Sequence, residues 1–87
     1  MTAIAAGQAK WQNLTMDYLV RQDESGYGVE IRETAVRSVF EHLLPPGPGN
    51  LEKTTDFAAR LARGSVFADN LRELAEDFRT EQTLQAM

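Results

Sequence analysis

The apolar residues in the second half of the chain recur at helical spacing. One stripe has intervals of four, three and four positions and consists of Phe67, Leu71, Leu74 and Phe78. A stripe before it consists of Phe57, Ala58, Leu61 and Ala62. Such intervals place apolar side chains on one side of an α-helix. Gly64 can end the first helix and Ser65 can cap the second, so the pattern predicts helices over Asn50–Arg63 and Ser65–Gln82.

The first half of the chain fits two patterns. Helical stripes run through Trp11, Leu14 and Tyr18 and through Val29, Val36, Val39, Phe40 and Leu43, and they predict helices over Gln8–Gln22 and Val29–Leu44. Alternating apolar residues between about 14 and 31 instead favour a β-hairpin with its loop near 21–26. We prefer the helical interpretation because Gly26 and Gly28 supply a helix break. A strand after them would have to become a helix near Glu33 with no Gly, Pro or Asn to mark the change.

All three prolines lie in the segment 45–50, which has the sequence PPGPGN. Proline fixes φ and lacks an N–H, so the preceding helix cannot continue through this segment. The sequence therefore predicts one all-α domain over residues 1–87, a small bundle of four short helices with a Pro/Gly-rich connector at 45–50. The alternative is an α+β fold in which an N-terminal hairpin at about 14–32 packs on three helices.

The predicted core collects the large apolar residues of these stripes: Leu14, Tyr18, Val36, Val39, Phe40, Leu43, Phe57, Leu61, Phe67, Leu71, Leu74 and Phe78. A chain of 87 residues has room for only one small core. Its stability is therefore modest, and a partner or a second copy can increase it.

Composition narrows the functional classes. The chain has 13 acidic and 9 basic side chains, a net charge of −4 and no cysteine. A mildly acidic, mixed surface offers no extended attraction for nucleic acid or for an anionic membrane. The N-terminal segment lacks the basic start and the apolar run of a signal peptide, and no stretch approaches the ~20 apolar residues of a membrane span. We predict a cytoplasmic protein with no membrane partner.

No group of residues has the spacing of a catalytic, cofactor or metal site. His42 follows Ser38 at helical spacing, but a nucleophile and base also need an orienting group and an oxyanion site, which the sequence does not specify. The glycines match neither the phosphate-loop nor the dinucleotide spacing. We therefore predict no enzyme activity, no cofactor, no metal and no small-molecule substrate.

Two aromatic residues and two arginines are the predicted interaction residues. Trp11 and Tyr27 have few predicted neighbours, and such aromatics are enriched at interfaces, while Arg60 and Arg63 lie near the Gly64-Ser65 corner. The sequence thus predicts a non-catalytic protein–protein interaction module, a small accessory, regulatory or inhibitory subunit that docks on a larger protein or self-associates. One alternative is a helix-turn-helix-like DNA-binding regulator, although acidic residues after the corner disfavour nucleic acid. The other is a small enzyme with an unrecognised site.

Overall fold

A computed structural model describes residues 2–34 and 37–85. Within them, four strands precede two helices: β1 (Thr2–Trp11), β2 (Leu14–Asp23), β3 (Gly26–Glu33), β4 (Arg37–Leu44), α1 (Asn50–Arg63) and α2 (Ala68–Gln85). The strands form one antiparallel sheet in the order β1-β2-β3-β4. Helix α1 packs mainly on β1 and β2, and α2 packs on β4 and β3.

This α+β architecture shows that the predicted all-α bundle is wrong. The segments predicted as helices over Gln8–Gln22 and Val29–Leu44 form strands. The alternative placed a hairpin at about 14–32, where β2 and β3 lie, but it packed that hairpin on three helices. The described residues instead contain two helices and two further strands. Gly26 has a φ of 125°, so the glycine interpreted as a helix break begins β3 after a tight turn.

The core lies between the sheet and the two helices. Met16, Tyr18 and Val20 of β2 are buried on the helix side, and they stand opposite Glu33, Ile31 and Val29 of β3. The helices contribute buried residues to the same layer: Phe57, Ala58, Leu61, Ala68, Leu71, Ala75 and Phe78. The rings of Phe57 and Phe78 meet with centroids 4.6 Å apart, so one aromatic contact links α1 to α2 above the sheet.

The predicted core is only partly correct. Its buried members are Tyr18, Leu43, Phe57, Leu61, Leu71 and Phe78. Its half-buried members, packed at the core margin, are Leu14, Val39, Phe67 and Leu74. Phe40 is wrongly placed, because it is 38% exposed and follows the core-margin residue Val39 in a strand, where successive side chains point to opposite faces. Val36 lies outside the described residues.

The two helices begin differently from one another. Helix α1 has the predicted bounds, and the segment 45–50 connects it to β4. Helix α2 begins at Ala68 and not at Ser65, whose φ of 51° is incompatible with the proposed cap. The backbone N–H of Ala68 instead donates to Glu33 Oε2 at 2.9 Å, so a carboxylate from β3 caps α2. Within the described ranges, neither helix combines the length and apolar character needed to cross a bilayer.

Tyr18 connects the sheet to the segment between the helices. It is completely buried, and its hydroxyl donates to the carbonyl oxygen of Val66 at 2.7 Å. Burial raises the pKa of Tyr18 to about 12, and the nearby Glu33 carboxylate adds to the increase. The phenol is therefore held in its neutral, hydrogen-bonded form.

We expect the free energy of unfolding to fall as the pH rises from about 10 towards about 12. In this interval Tyr18 ionises in the unfolded chain but stays neutral in the folded one, so its contribution is complete below the interval and is lost across it. Urea unfolding at a series of pH values measures the slope. A Tyr18→Phe variant should have a shallower slope, and equal slopes in both proteins would exclude Tyr18 as the source.

Candidate functional site

The four predicted interaction residues do not form one site. Trp11 lies at the end of β1, is 56% exposed and contacts Phe67 edge-on at 6.3 Å between ring centroids. Tyr27 is half-buried at the opposite end of the sheet, paired with Gln22. Arg60 and Arg63 are exposed on α1. Of these four residues, only Trp11 lies on an edge strand of the sheet.

The candidate nucleophile and base are also apart. Strand β4 carries both Ser38 and His42, but Ser38 Oγ donates to Glu30 Oε2 at 2.8 Å. His42 Nε2 lies 2.8 Å from the carbonyl oxygen of Ser25. Within residues 2–34 and 37–85, no group of three or more His, Asp or Glu side chains could hold a metal ion.

The sheet face opposite the helices has a buried carboxylate at its centre. Glu30 is 2% exposed and accepts hydrogen bonds from Arg21 Nη1 at 3.0 Å and Arg32 Nε at 2.6 Å. Burial alone would raise the pKa of Glu30, but hydrogen bonds from Arg32 and Ser38 and the charges of both arginines outweigh it and lower the pKa. The Arg21 guanidinium also lies 5.6 Å from the ring centroid of Phe40. This network joins β2, β3 and β4, and it covers the centre of the face with paired charges.

The two edges of the sheet differ in their protection. At β4, the Arg79 side chain from α2 donates to the carbonyl oxygen of His42 at 2.6 Å. Arg79 also lies 3.8 Å from the Glu41 carboxylate. Side-chain hydrogen bonds and charges of this kind keep an edge strand from pairing with another chain. The edge formed by β4 is therefore protected against pairing with another chain.

In the part of the chain that the structure describes, no side chain protects strand β1 in a comparable way. Among the described residues its only strand neighbour is β2, so its other side presents backbone N–H and C=O groups outward. It is ten residues long, with the sequence TAIAAGQAKW, in which Lys10 is the one charged residue. Long edge strands without proline and with few charges are templates for pairing with another chain.

Exposed apolar groups lie near both ends of β1. Ile4 is 42% and Trp11 is 56% exposed, and they pair with Val20 and Leu14 of β2. Directly paired residues share a face of the sheet, so both side chains are on the helix side. A bulge between Ala5 and Gly7 leaves the intervening residue unpaired.

Because β1 contains small residues, its side chains take up little space on either face of the sheet. On the helix side, a Cβ added at Gly7 would lie 2.7 Å from the Cβ of Ala62, so α1 passes directly over the strand. On the other face is an open depression of about 580 Å³, lined by Ala5, Ala6, Gly7, Gln8, Asp17, Leu19 and Arg32. An added strand therefore has free space on the side away from the helices.

The β1 edge is the candidate functional site, and sequence reasoning missed it because its alanines and glycine have low β-propensity. The available clue was the pair Gln12-Asn13 immediately before the alternating residues of β2, which is a suitable turn between two strands. Strand β1 contains no Asp, Glu, His or Cys, and its edge is chemically suited to backbone pairing. Comparisons of the chain with protein-family models, with curated proteins and with solved structures found no match.

Proposed function

We propose that this protein is a non-catalytic protein-binding module, an accessory or regulatory subunit that binds an extended segment of another polypeptide along β1. The observation that carries the proposal is the contrast between the two edges. Within the described residues both edge strands have a strand neighbour on one side only, but at β4 the Arg79 side chain also occupies a backbone acceptor.

Strand addition suits the chemistry of this edge. Backbone hydrogen bonds supply affinity in such complexes, and alternate side chains supply specificity. On the helix side, Ile4 and Trp11 offer apolar contacts for every second residue of an added strand. On the other face, the depression beside Ala5 and Gly7 accepts the intervening side chains.

The DNA-binding alternative is less well supported by the arrangement of charge. The exposed side of α2, which follows the Gly64-Ser65 corner, carries Asp69, Glu73, Glu76 and Asp77. These carboxylates would repel phosphates at the position where a recognition helix needs cations. The ligand we propose is therefore a polypeptide and not nucleic acid.

A peptide-display experiment tests this function without knowledge of the natural partner. The folded protein is used to select from a library of peptides as long as β1, and the selected peptides are added to isotope-labelled protein. We expect amide chemical-shift changes concentrated in Ala3–Lys10. Methylation of alternate backbone nitrogens of the peptide should abolish binding for one alternating set and spare the other, because only one set faces β1.

A Phe40→Ala variant provides the control, because Phe40 lies on β4 and away from the proposed edge. Its affinity for the selected peptides should equal that of the wild type. Shift changes concentrated on α2 or on the face around Glu30, or equal effects of both methylated sets, would overturn binding by strand addition.

A further inference from the structure

We infer that the segment bound along β1 is β1 of a second copy of this chain, related by a two-fold axis, so that two sheets join into one of eight strands. This inference rests on the proposed function and specifies its partner. It follows from three features of β1: the face on which each side chain lies, the position of the bulge and the placement of its single charge.

The register of self-pairing follows from the pairing with β2. A residue of β1 lies on the helix side when its partner in β2 does. The paired residues assigned to the helix side in this way are Ile4, Gly7, Ala9 and Trp11. Antiparallel partners must share a face. The two β1 strands can be aligned antiparallel over their full length, with the residue between Ala5 and Gly7 left unpaired in each copy. In this alignment the two members of every pair lie on the same face. The alignment pairs Gln8 with Gln8 of the second copy on the two-fold axis.

In this register the exposed apolar residues cover each other. Gly7 stands opposite Ala9 of the second copy, and after the bulge Ile4 stands opposite Trp11. Each contact occurs twice because the interface is isologous. The two largest exposed apolar side chains of β1 thus bury their surface against each other, and cross-strand pairs between aromatic and β-branched residues are favourable.

The single charge of the strand is compatible with this arrangement. Lys10 stands opposite Ala5 of the second copy, so the two lysines lie near opposite ends of the interface. Because Ala5, Ala6 and Gly7 are small, the depression they line stays open beside the position of that lysine and extends to Asp17. The depression therefore leaves room for the lysine side chain on the face away from the helices.

The helices also leave room for the second copy. Strands in a sheet are about 4.8 Å apart, so two α1 helices, each above β1 and β2, would have axes about 10 Å apart across the two-fold axis. This spacing is within the range of packed helices. Ala62 lies above Gly7, and Ala59 precedes it by three positions on the same flank of α1, so small side chains occupy the part of this flank that lies above Gly7.

Single cysteines test the register directly, because the chain has no cysteine of its own. Gln8→Cys places two thiols opposite each other on the two-fold axis, at a separation that a disulfide can bridge. We expect mild oxidation to crosslink Gln8→Cys at least about tenfold faster than Glu52→Cys, an exposed control on α1. Ala5→Cys mixed with Lys10→Cys should form the mixed dimer in preference to either self-dimer.

Charge reversal provides a second test in solution. Ala5→Lys places like charges opposite each other twice per dimer and should weaken association about tenfold. Adding Lys10→Glu to the same chain should restore it. Sedimentation equilibrium measures the dissociation constants, and circular dichroism confirms that each variant is folded.

The outcomes separate this inference from the function on which it rests. A monomer at all concentrations, with no preference for crosslinking through Gln8, overturns the second copy as partner, and peptide binding at β1 would then preserve the proposed function. A dimer that is insensitive to both charge changes and does not crosslink through Gln8 also overturns the inference. Loss of peptide binding and of self-association together would overturn both proposals.

Discussion

Replacement of Leu71 by alanine is expected to lower the free energy of unfolding by about 2–5 kcal/mol, the range for buried leucines. Leu71 is completely buried on the side of α2 that faces the sheet. The cavity left by the lost methyl groups would be enclosed by the layer that both helices and β2 and β3 form. Urea denaturation followed by circular dichroism measures the change.

Phe40→Ala is the matched comparison, because the sequence pattern assigned both residues to the core. We expect it to cost only about 1 kcal/mol, since the ring is 38% exposed and its main contacts are with Arg21 and the backbone at Gly28. A larger loss for Phe40→Ala than for Leu71→Ala would place the core on the opposite face of the sheet.

The contrast between these residues explains which part of the fold the sequence could predict. The stripes of α1 and α2 are one-sided and are separated by Gly64, so local pattern was sufficient to find both helices. A helix that packs on a sheet needs the same apolar stripe as a helix in a bundle. The pattern therefore did not reveal what the helices cover.

The strands were missed because their decisive interactions are distant in sequence. Val39 and Leu43 in β4 are four positions apart, which is also a helical interval, and a short apolar segment can satisfy both periods. In the structure Val39 pairs with Ile31, and that pairing selects the strand. The alternation at 14–31 indicates strands, but Gly26 and Gly28 also fit a helix break, so the local pattern favours the helical interpretation.

The candidate site was less predictable than the fold. An edge is a property of strand order, so no local feature of Thr2–Trp11 identifies it before the sheet is known. Trp11 was found because it is an aromatic residue with few predicted neighbours. The protected state of β4 depends on Arg79, which is 37 positions from His42, and this long-range contact makes β1 the available edge.

Replacement of Glu33 by alanine is expected to lower the free energy of unfolding by about 2–4 kcal/mol, because it removes a helix cap and a buried charged acceptor together. Glu33 is 6% exposed. Its Oε2 accepts from the N–H of Ala68, and its Oε1 accepts from Arg37 Nε, each at 2.9 Å. Alanine leaves the first turn of α2 uncapped and removes one of the two carboxylates that Arg37 contacts, the other being Asp69.

Glu41→Ala is the control for the loss of a carboxylate from the same sheet. Glu41 pairs with Arg79 at the longer distance of 3.8 Å, and both side chains are partly exposed, so the expected cost is below about 1 kcal/mol. Glu33→Gln should fall between the two alanine variants, because its amide oxygen can still accept from Ala68 but no longer carries the charge. Equal losses for Glu33→Ala and Glu41→Ala, measured by urea denaturation, would show that the carboxylate from β3 does not fix the start of α2. Sequence-local capping by the segment at 65–67 would then have to explain why the helix begins where it does.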